Sequence, residues 1–311
     1  MTSLRRSPLL LLALAALALP GCGGDDGAEA ADVGSTIAAV APSTAQPLYE
    51  DLIAAFARTE AGRGVHVRPT YGPSSTDAFR VTRSVRAEAV TFTDELAMQR
   101  VVDAGVVAPD WHETTTRGVT ASSTIAFVVR PGNPLGIRTW RDLLGDDVRI
   151  VLADPKRSGL GLSALLAAFA QAEARDGRRS AGTSYVRELL AHVDKQSETD
   201  LRALDDFTAG RADVLLTDRA TAEEAKRAGA ELDIVDPDPT FRVDYVSAPT
   251  LDATSQGISF AEFLVSPEAD RIARDHGYSA EPPGGGRVLT VDALGGWPEV
   301  QKLLDAGVIP R

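Results

Sequence analysis

The chain has 311 residues, 44% of them apolar and 24% charged, and its 44 acidic against 32 basic side chains give a formal charge of −12. Such a composition is globular, and the length predicts about two domains of ~150 residues each. No Lys/Arg-rich tract is present to displace phosphate counterions, which argues against a nucleic-acid partner; a single cysteine leaves no disulfide framework or thiolate cluster, and His66, His112, His192 and His276 are scattered with no HExxH among them.

The first thirty residues read as an address. Arg5 and Arg6 precede an apolar run from Pro8 to Leu19, about a dozen residues against the ~20 that a membrane-spanning helix needs. A basic start followed by a short apolar stretch is the pattern of an export signal. It ends Leu19-Pro20-Gly21-Cys22, which resembles the lipobox of bacterial lipoproteins with Pro20 as a less usual occupant. The resemblance implies that residues 1–21 are removed and Cys22 is lipidated, holding the mature chain on the outer or periplasmic face of the cell membrane. The alternative is an ordinary cleaved signal with an incidental cysteine. Residues 22–32, rich in Gly, Asp and Ala, are expected to be a flexible tether.

Beyond Val33, short β-branched runs alternate with amphipathic stretches. Ser35–Val40 reads as a buried strand, Pro42-Ser43-Thr44 as helix caps, and Leu48, Leu52, Ile53 and Phe56 as one helical face. His66–Thr70 is strand-like, Ser74-Ser75-Thr76 caps a helix carrying Phe79, Val81 and Val85, and Ala89–Phe92 is a strand before a helix to Ala104. Ser123–Val129 is a strand ending in Arg130-Pro131-Gly132-Asn133-Pro134, strong turn chemistry. Arg149–Ala153 is a strand, and after a loop to Ser158-Gly159 comes a long Ala/Leu helix to about Ala174. Asp213–Leu216 and Asp233–Val235 are strands around a helix at Glu223–Ala228; Ser266-Pro267-Glu268 starts another helix, and a short one lies at Val300–Leu304. This order argues an α/β fold with largely parallel sheets and shows no internal repeat.

Three places share one design: a strand ends, Ser/Thr/Gly follow, and a helix begins. They are Ser43-Thr44, Ser74-Ser75-Thr76 and Ser158-Gly159. Helix N-termini offer unpaired N–H groups and partial positive charge, so converging starts make an anion site without a formal cation. Taken singly, each is the ordinary N-cap that Ser and Thr prefer.

Longer motifs carry a resemblance. STIAFVVRPGNP (Ser123–Pro134) with Trp140 and Asp142-Leu143 after it, DPKRSG (Asp154–Gly159), Ser266-Pro267-Glu268 and LTVDALGGW (Leu289–Trp297) stand in an order and spacing similar to the sulfate/thiosulfate-binding proteins that serve ATP-driven importers. The resemblance runs from about Thr36 to the C-terminus. It implies a two-lobed, type II periplasmic-binding-protein-like α/β fold: lobe 1 at 33–122 plus 247–288, lobe 2 at 123–246, and a C-terminal segment 289–311 packed on the lobes. Hinge crossovers are expected near Ser123 and Tyr245–Ala248. Carried over residue by residue, Ser74, with Ser75 beside it, and Ser158 would give hydroxyls to the anion, Gly159 and Leu160 backbone N–H groups, and Thr199 falls near a further backbone donor. Ser43 stands where the family has an Asp organising the first loop. Leu160 replaces a glycine, Thr93-Asp94-Glu95 is acidic and unlike the family, and Asp218 replaces a Trp whose indole N–H faces the anion. The implied partners are a tetrahedral oxyanion, sulfate or thiosulfate first, and a membrane permease; no cofactor or metal and no oligomer is implied.

Asp218 is the physically pointed departure. An indole N–H only donates and an ionised carboxylate only accepts; the exchange loses a donor and adds repulsion of ~4 kcal/mol for unit charges 4 Å apart at an effective dielectric of 20. An anion that keeps a proton, such as hydrogen phosphate, would suit such a site, unless Asp218 pairs with Arg219 or Arg157 and points away. Molybdate or phosphate on the same fold, and a transport-inactive sensor lipoprotein, are the rival readings. An enzyme is disfavoured by the lack of a nucleophile elbow or nucleophile–base pair. GLGLSA (Gly159–Ala164) matches a dinucleotide fingerprint but begins too far beyond its strand. Trp111, Trp140 and Trp297 read as packing anchors, and Arg80, Arg83 and Arg86 as a solvated basic run with permease docking as the alternative.

Overall fold

A computed structural model describes residues 35–310; the expected signal peptide and tether, with Cys22, lie outside the described residues. Strand β1 (Thr36–Pro42) runs through a 3-10 turn at Ser43–Ala45 into α1 (Gln46–Phe56), followed by β2 (His66–Gly72), α2 (Ser74–Val81), β3 (Ala89–Phe92) and α3 (Glu95–Asp103). Long β4 (Val119–Val129) leads past a 3-10 turn at Trp140–Leu144 to β5 (Ile150–Ala153), α4 (Gly159–Asp176), α5 (Arg179–Ala191), β6 (Val193–Ser197), α6 (Asp200–Thr208), β7 (Val214–Asp218) and α7 (Arg219–Arg227). Short β8 (Asp233–Val235) and long β9 (Thr240–Pro249) return the chain to α8 (Ser255–Leu264) and α9 (Pro267–Asp275). The tail carries β10 (Val288–Leu289), a 3-10 turn at Val291–Leu294 and α10 (Trp297–Asp305).

The strand order is β2-β1-β3-β9-β4-β7-β5-β6, with β10 on β9 and β8 on β4. Within each half the pairs are parallel, β1 with β2 and β3, β5 with β6 and β7, as the β-α-β order predicts. The middle is antiparallel: β9 against β3 and β4, and β4 against β7 and β8. The sheet is therefore parallel in its two outer parts, as expected, and antiparallel in the middle, where the long strands β4 and β9 run against β3, β7 and each other. Strand β4 pairs through Val119–Thr124 with β9 and through Ile125–Val129 with β7, so it changes partner between Thr124 and Ile125. Strand β9 pairs with β4 through Arg242–Val246 and with β3 through Val246–Pro249. These two strands carry the chain between the halves.

Helix α4 explains the main core. Its Ala/Leu sequence leaves little hydrophobic asymmetry, and residues 159–172 are all buried, as expected of a helix apolar on every side. It lies against α5, β7 and β9. Trp140 is the packing anchor its type suggests: its ring meets Phe127 edge-on at 4.9 Å between centroids, and its indole N–H donates to the Pro239 carbonyl at 2.7 Å.

Candidate functional site

Helix starts from both halves of the sheet meet where β3, β5 and β7 end. Ser74 is the first residue of α2, with Pro73 as its cap, so its hydroxyl is not used as an N-cap. Instead Ser74 Oγ accepts from the Thr93 N–H at 3.0 Å and lies 3.0 Å from Thr93 Oγ1. The Ser75 N–H donates to the Arg157 carbonyl at 3.0 Å, tying the start of α2 to the loop before α4. Across that junction Gly159 approaches so closely that an added Cβ would stand 2.2 Å from Thr93 Oγ1 and 2.3 Å from Asp94 Oδ2. Ser74, Thr93, Asp94 and Gly159 thus form one group.

Ser158 opens a second group. It is fully buried, caps α4 by accepting from the Gly161 N–H at 3.0 Å, and donates to Asp200 Oδ1 at 2.5 Å. The N–H groups of Gly159 and Leu160 are the first two of α4 and have no acceptor within the helix. Leu160 sends its side chain into the main core, so its bulk lies away from the helix start. Thr199 caps α6 by accepting from the Arg202 N–H at 3.1 Å; the side chain that reaches Ser158 is the next residue, Asp200.

Asp218 ends β7, is 0% exposed, and caps α7: Oδ1 accepts from the Thr221 N–H at 3.2 Å and Oδ2 from the Tyr245 hydroxyl at 3.0 Å. The alternative in which Asp218 pairs with an arginine is overturned. Arg219 turns outward to Asp236 and Glu223, at 2.6 and 2.7 Å, and Arg157 lies 3.8 Å from Asp154. Tyr245 also stands beside the buried Thr44 side chain. Ser43, in the 3-10 turn, is only half-buried; Thr44 is the inward member of that pair.

The site holds three buried carboxyls. Burial pushes Asp94 up to about 6, against the opposing N–H of Ala97. Burial likewise pushes Asp200 up to about 6, Ser158 opposing and the neighbouring Asp218 adding to the rise. Asp218 is raised by burial despite its hydrogen bonds. Neither Asp200 nor Asp218 has a Lys or Arg ion-pair partner among the described residues. Hydroxyls, helix N-termini and these carboxyls are therefore the groups available to meet a ligand. Among the described residues no three His, Cys, Asp or Glu side chains are placed to share a metal ion. A surface groove of about 860 Å³ beside Trp140 and α5 contains none of these residues.

Sequence reasoning singled out Ser74, Ser158, Gly159 and Asp218, and each belongs to this junction. Thr93, Asp200 and Tyr245 went unassigned as contacts. Asp200 was recoverable in principle as the acidic residue after a Thr cap, but nothing in the sequence says that it faces Ser158.

This fold, with helix starts and buried hydroxyls gathered between two half-sheets, is that of an extracytoplasmic binding protein. Residues 37–279 match the family of bacterial extracellular solute-binding proteins, and the chain belongs to it. The sulfate-binding protein SubI of Mycobacterium tuberculosis H37Rv superposes with a TM-score of 0.83 at 31% identity, covering 87% of this chain and 99% of that one. A sulfate-binding protein of Synechococcus elongatus is 28% identical over 96% of this chain and 93% of its own length. A thiosulfate-binding protein of Escherichia coli is 25% identical over 79% and 80%.

Proposed function

We propose that this protein captures a tetrahedral oxyanion, sulfate or thiosulfate first, and delivers it to an ATP-driven importer without catalysing a reaction. The observation that carries this reading is the meeting of the α2 and α4 starts through Ser74, Thr93 and Gly159. The free N–H groups of Gly159 and Leu160 and the positive dipole ends of both helices meet there, with the Ser74 and Thr93 hydroxyls between them. Ser74, Ser158, Thr44 and the N–H groups of Gly159 and Leu160 donate to the anion. The two halves act as lobes 33–122 plus 247–288 and 123–246, swinging on β4 and β9, and the anion favours the closed form because only that form contacts it from both sides. The mature chain is a monomer anchored through Cys22, and the permease reads its closed form.

Calorimetric titration of the purified chain with sulfate, thiosulfate, phosphate and molybdate tests this. One of the four should bind, and Ser158→Ala should weaken it about 10- to 100-fold, the worth of a hydrogen bond to a charged group. Absence of binding by all four, from pH 5 to 8, would overturn the reading.

A further inference from the structure

Counting donors around Ser158 exposes a conflict. A hydroxyl has one proton to give, and Ser158 gives its proton to Asp200 while its oxygen accepts from Gly161. Tyr245 likewise gives its proton to Asp218. With both carboxylates ionised, two hydroxyl donors are consumed and two negative charges are set into the wall of an anion site. With Asp200 protonated the same atoms work in reverse: the carboxyl O–H donates to Ser158 Oγ, and the Ser158 proton becomes free to turn toward a ligand.

We propose that anion capture in this protein is proton-linked, one proton being held on the Asp200 carboxyl, where it donates to Ser158, when the anion binds and released when it leaves. This rests on the oxyanion reading above and adds to it the charge state in which the site works. One observation besides the acidic pair points to a ligand here: Asp94 Oδ2, beside Gly159, is buried and without a hydrogen-bond partner among the described residues. The charged neighbours do not relieve the pair. From α7, Arg219 is committed to Asp236 and Glu223; from α6, Arg202 lies near Asp205 and Asp206; before α4, Arg157 lies near Asp154. From β9 and the segment after α9, Tyr245 and Tyr278 are held neutral, their hydroxyls raised well above the usual range first by burial and then by Asp218. From the β3–α3 junction, Asp94 adds a further acid rather than a cation. The upward shifts of Asp200 and Asp218 agree in direction with this geometry.

The test is calorimetric titration of the mature chain with sulfate from pH 5 to 8, in pairs of buffers that differ in ionisation enthalpy. Sulfate stays a dianion throughout, so every proton counted belongs to the protein. One proton should be taken up per sulfate above pH 7, and affinity should fall by about tenfold per pH unit there, the limit for one linked proton. Asp200→Asn, whose amide donates to Ser158 at every pH, should bind sulfate at pH 8 about as tightly as wild type near pH 5.5 and take up no proton. Sulfate binding by wild type with no proton uptake, or uptake that survives in Asp200→Asn, overturns this proposal and leaves the proposed function standing. Failure of all the anions to bind at every pH removes both. Wild-type proton uptake is read without any variant, so a poorly folded Asp200→Asn does not block the answer.

Discussion

At Gly159 the absence of one carbon sets how closely the start of α4 can approach β3. The groups an added Cβ would strike, Thr93 Oγ1 and Asp94 Oδ2, belong to short, buried side chains that cannot swing aside. Overpacking of this kind costs roughly 1–3 kcal/mol. Because the strain arises only where α4 meets β3, Gly159→Ala should weaken sulfate binding by about 5- to 150-fold, measured by titration; unchanged affinity would mean that the junction is not part of the bound form. Asp206 is shifted in the opposite direction to Asp200. Lys195 at 2.8 Å, Ser197 at 2.7 Å and Arg211 hold its carboxyl well below the usual carboxylate range. Two aspartates six positions apart on one helix thus carry opposite shifts, decided by whether cations reach them.

Among elements, α4 is where sequence and structure agree most fully. An Ala/Leu run without polar periodicity can only be a central helix, and that is its place. Leu166 is fully buried on it, and Leu166→Ala should cost about 2–5 kcal/mol in urea unfolding through the cavity left behind. Strand β9 was harder to read as a whole. Its central residues Arg242 and Asp244 are polar and ion-paired at 2.7 Å, which breaks the apolar run that marks a buried strand. Its role is topological, pairing with β3 at one end and with β4 through its middle, and no local pattern encodes that. The site divides the same way. Ser74 and Ser158 were legible because strand-end hydroxyls before helices are a local signature. Asp200 was not, because its partner stands forty-two positions earlier in the chain. The arginine pairing considered for Asp218 failed because Arg219, although adjacent in sequence, starts a helix that directs its guanidinium toward Asp236.

For the whole molecule, the buried site acids set a pH optimum of stability that differs from an ordinary acidic protein's. Asp94 and Asp200 sit at about 6 in the fold and near 4 when unfolded. A carboxyl raised on folding favours the fold in its neutral form; that contribution is complete below the unfolded value and is lost as pH climbs through about 6. Each such group is worth up to about 3 kcal/mol by linkage. Asp206 and Asp213, both lowered on folding chiefly by bonds from Lys195 and Arg149 respectively, act the other way, stabilising above the unfolded value and fading as acid protonates them. Between the two trends the ligand-free protein should melt highest near about pH 5 and lose several degrees by pH 7. A melting temperature that rises from pH 5 to pH 7 would show that the site carboxyls are ionised without cost, and the shift of Asp200 would then be wrong in sign. Replacing Asp200 by Asn removes one titrating group from this sum, so the variant's stability should decline less between pH 5 and 7 than wild type's. Differential scanning calorimetry of both proteins, without added anion, measures that difference directly.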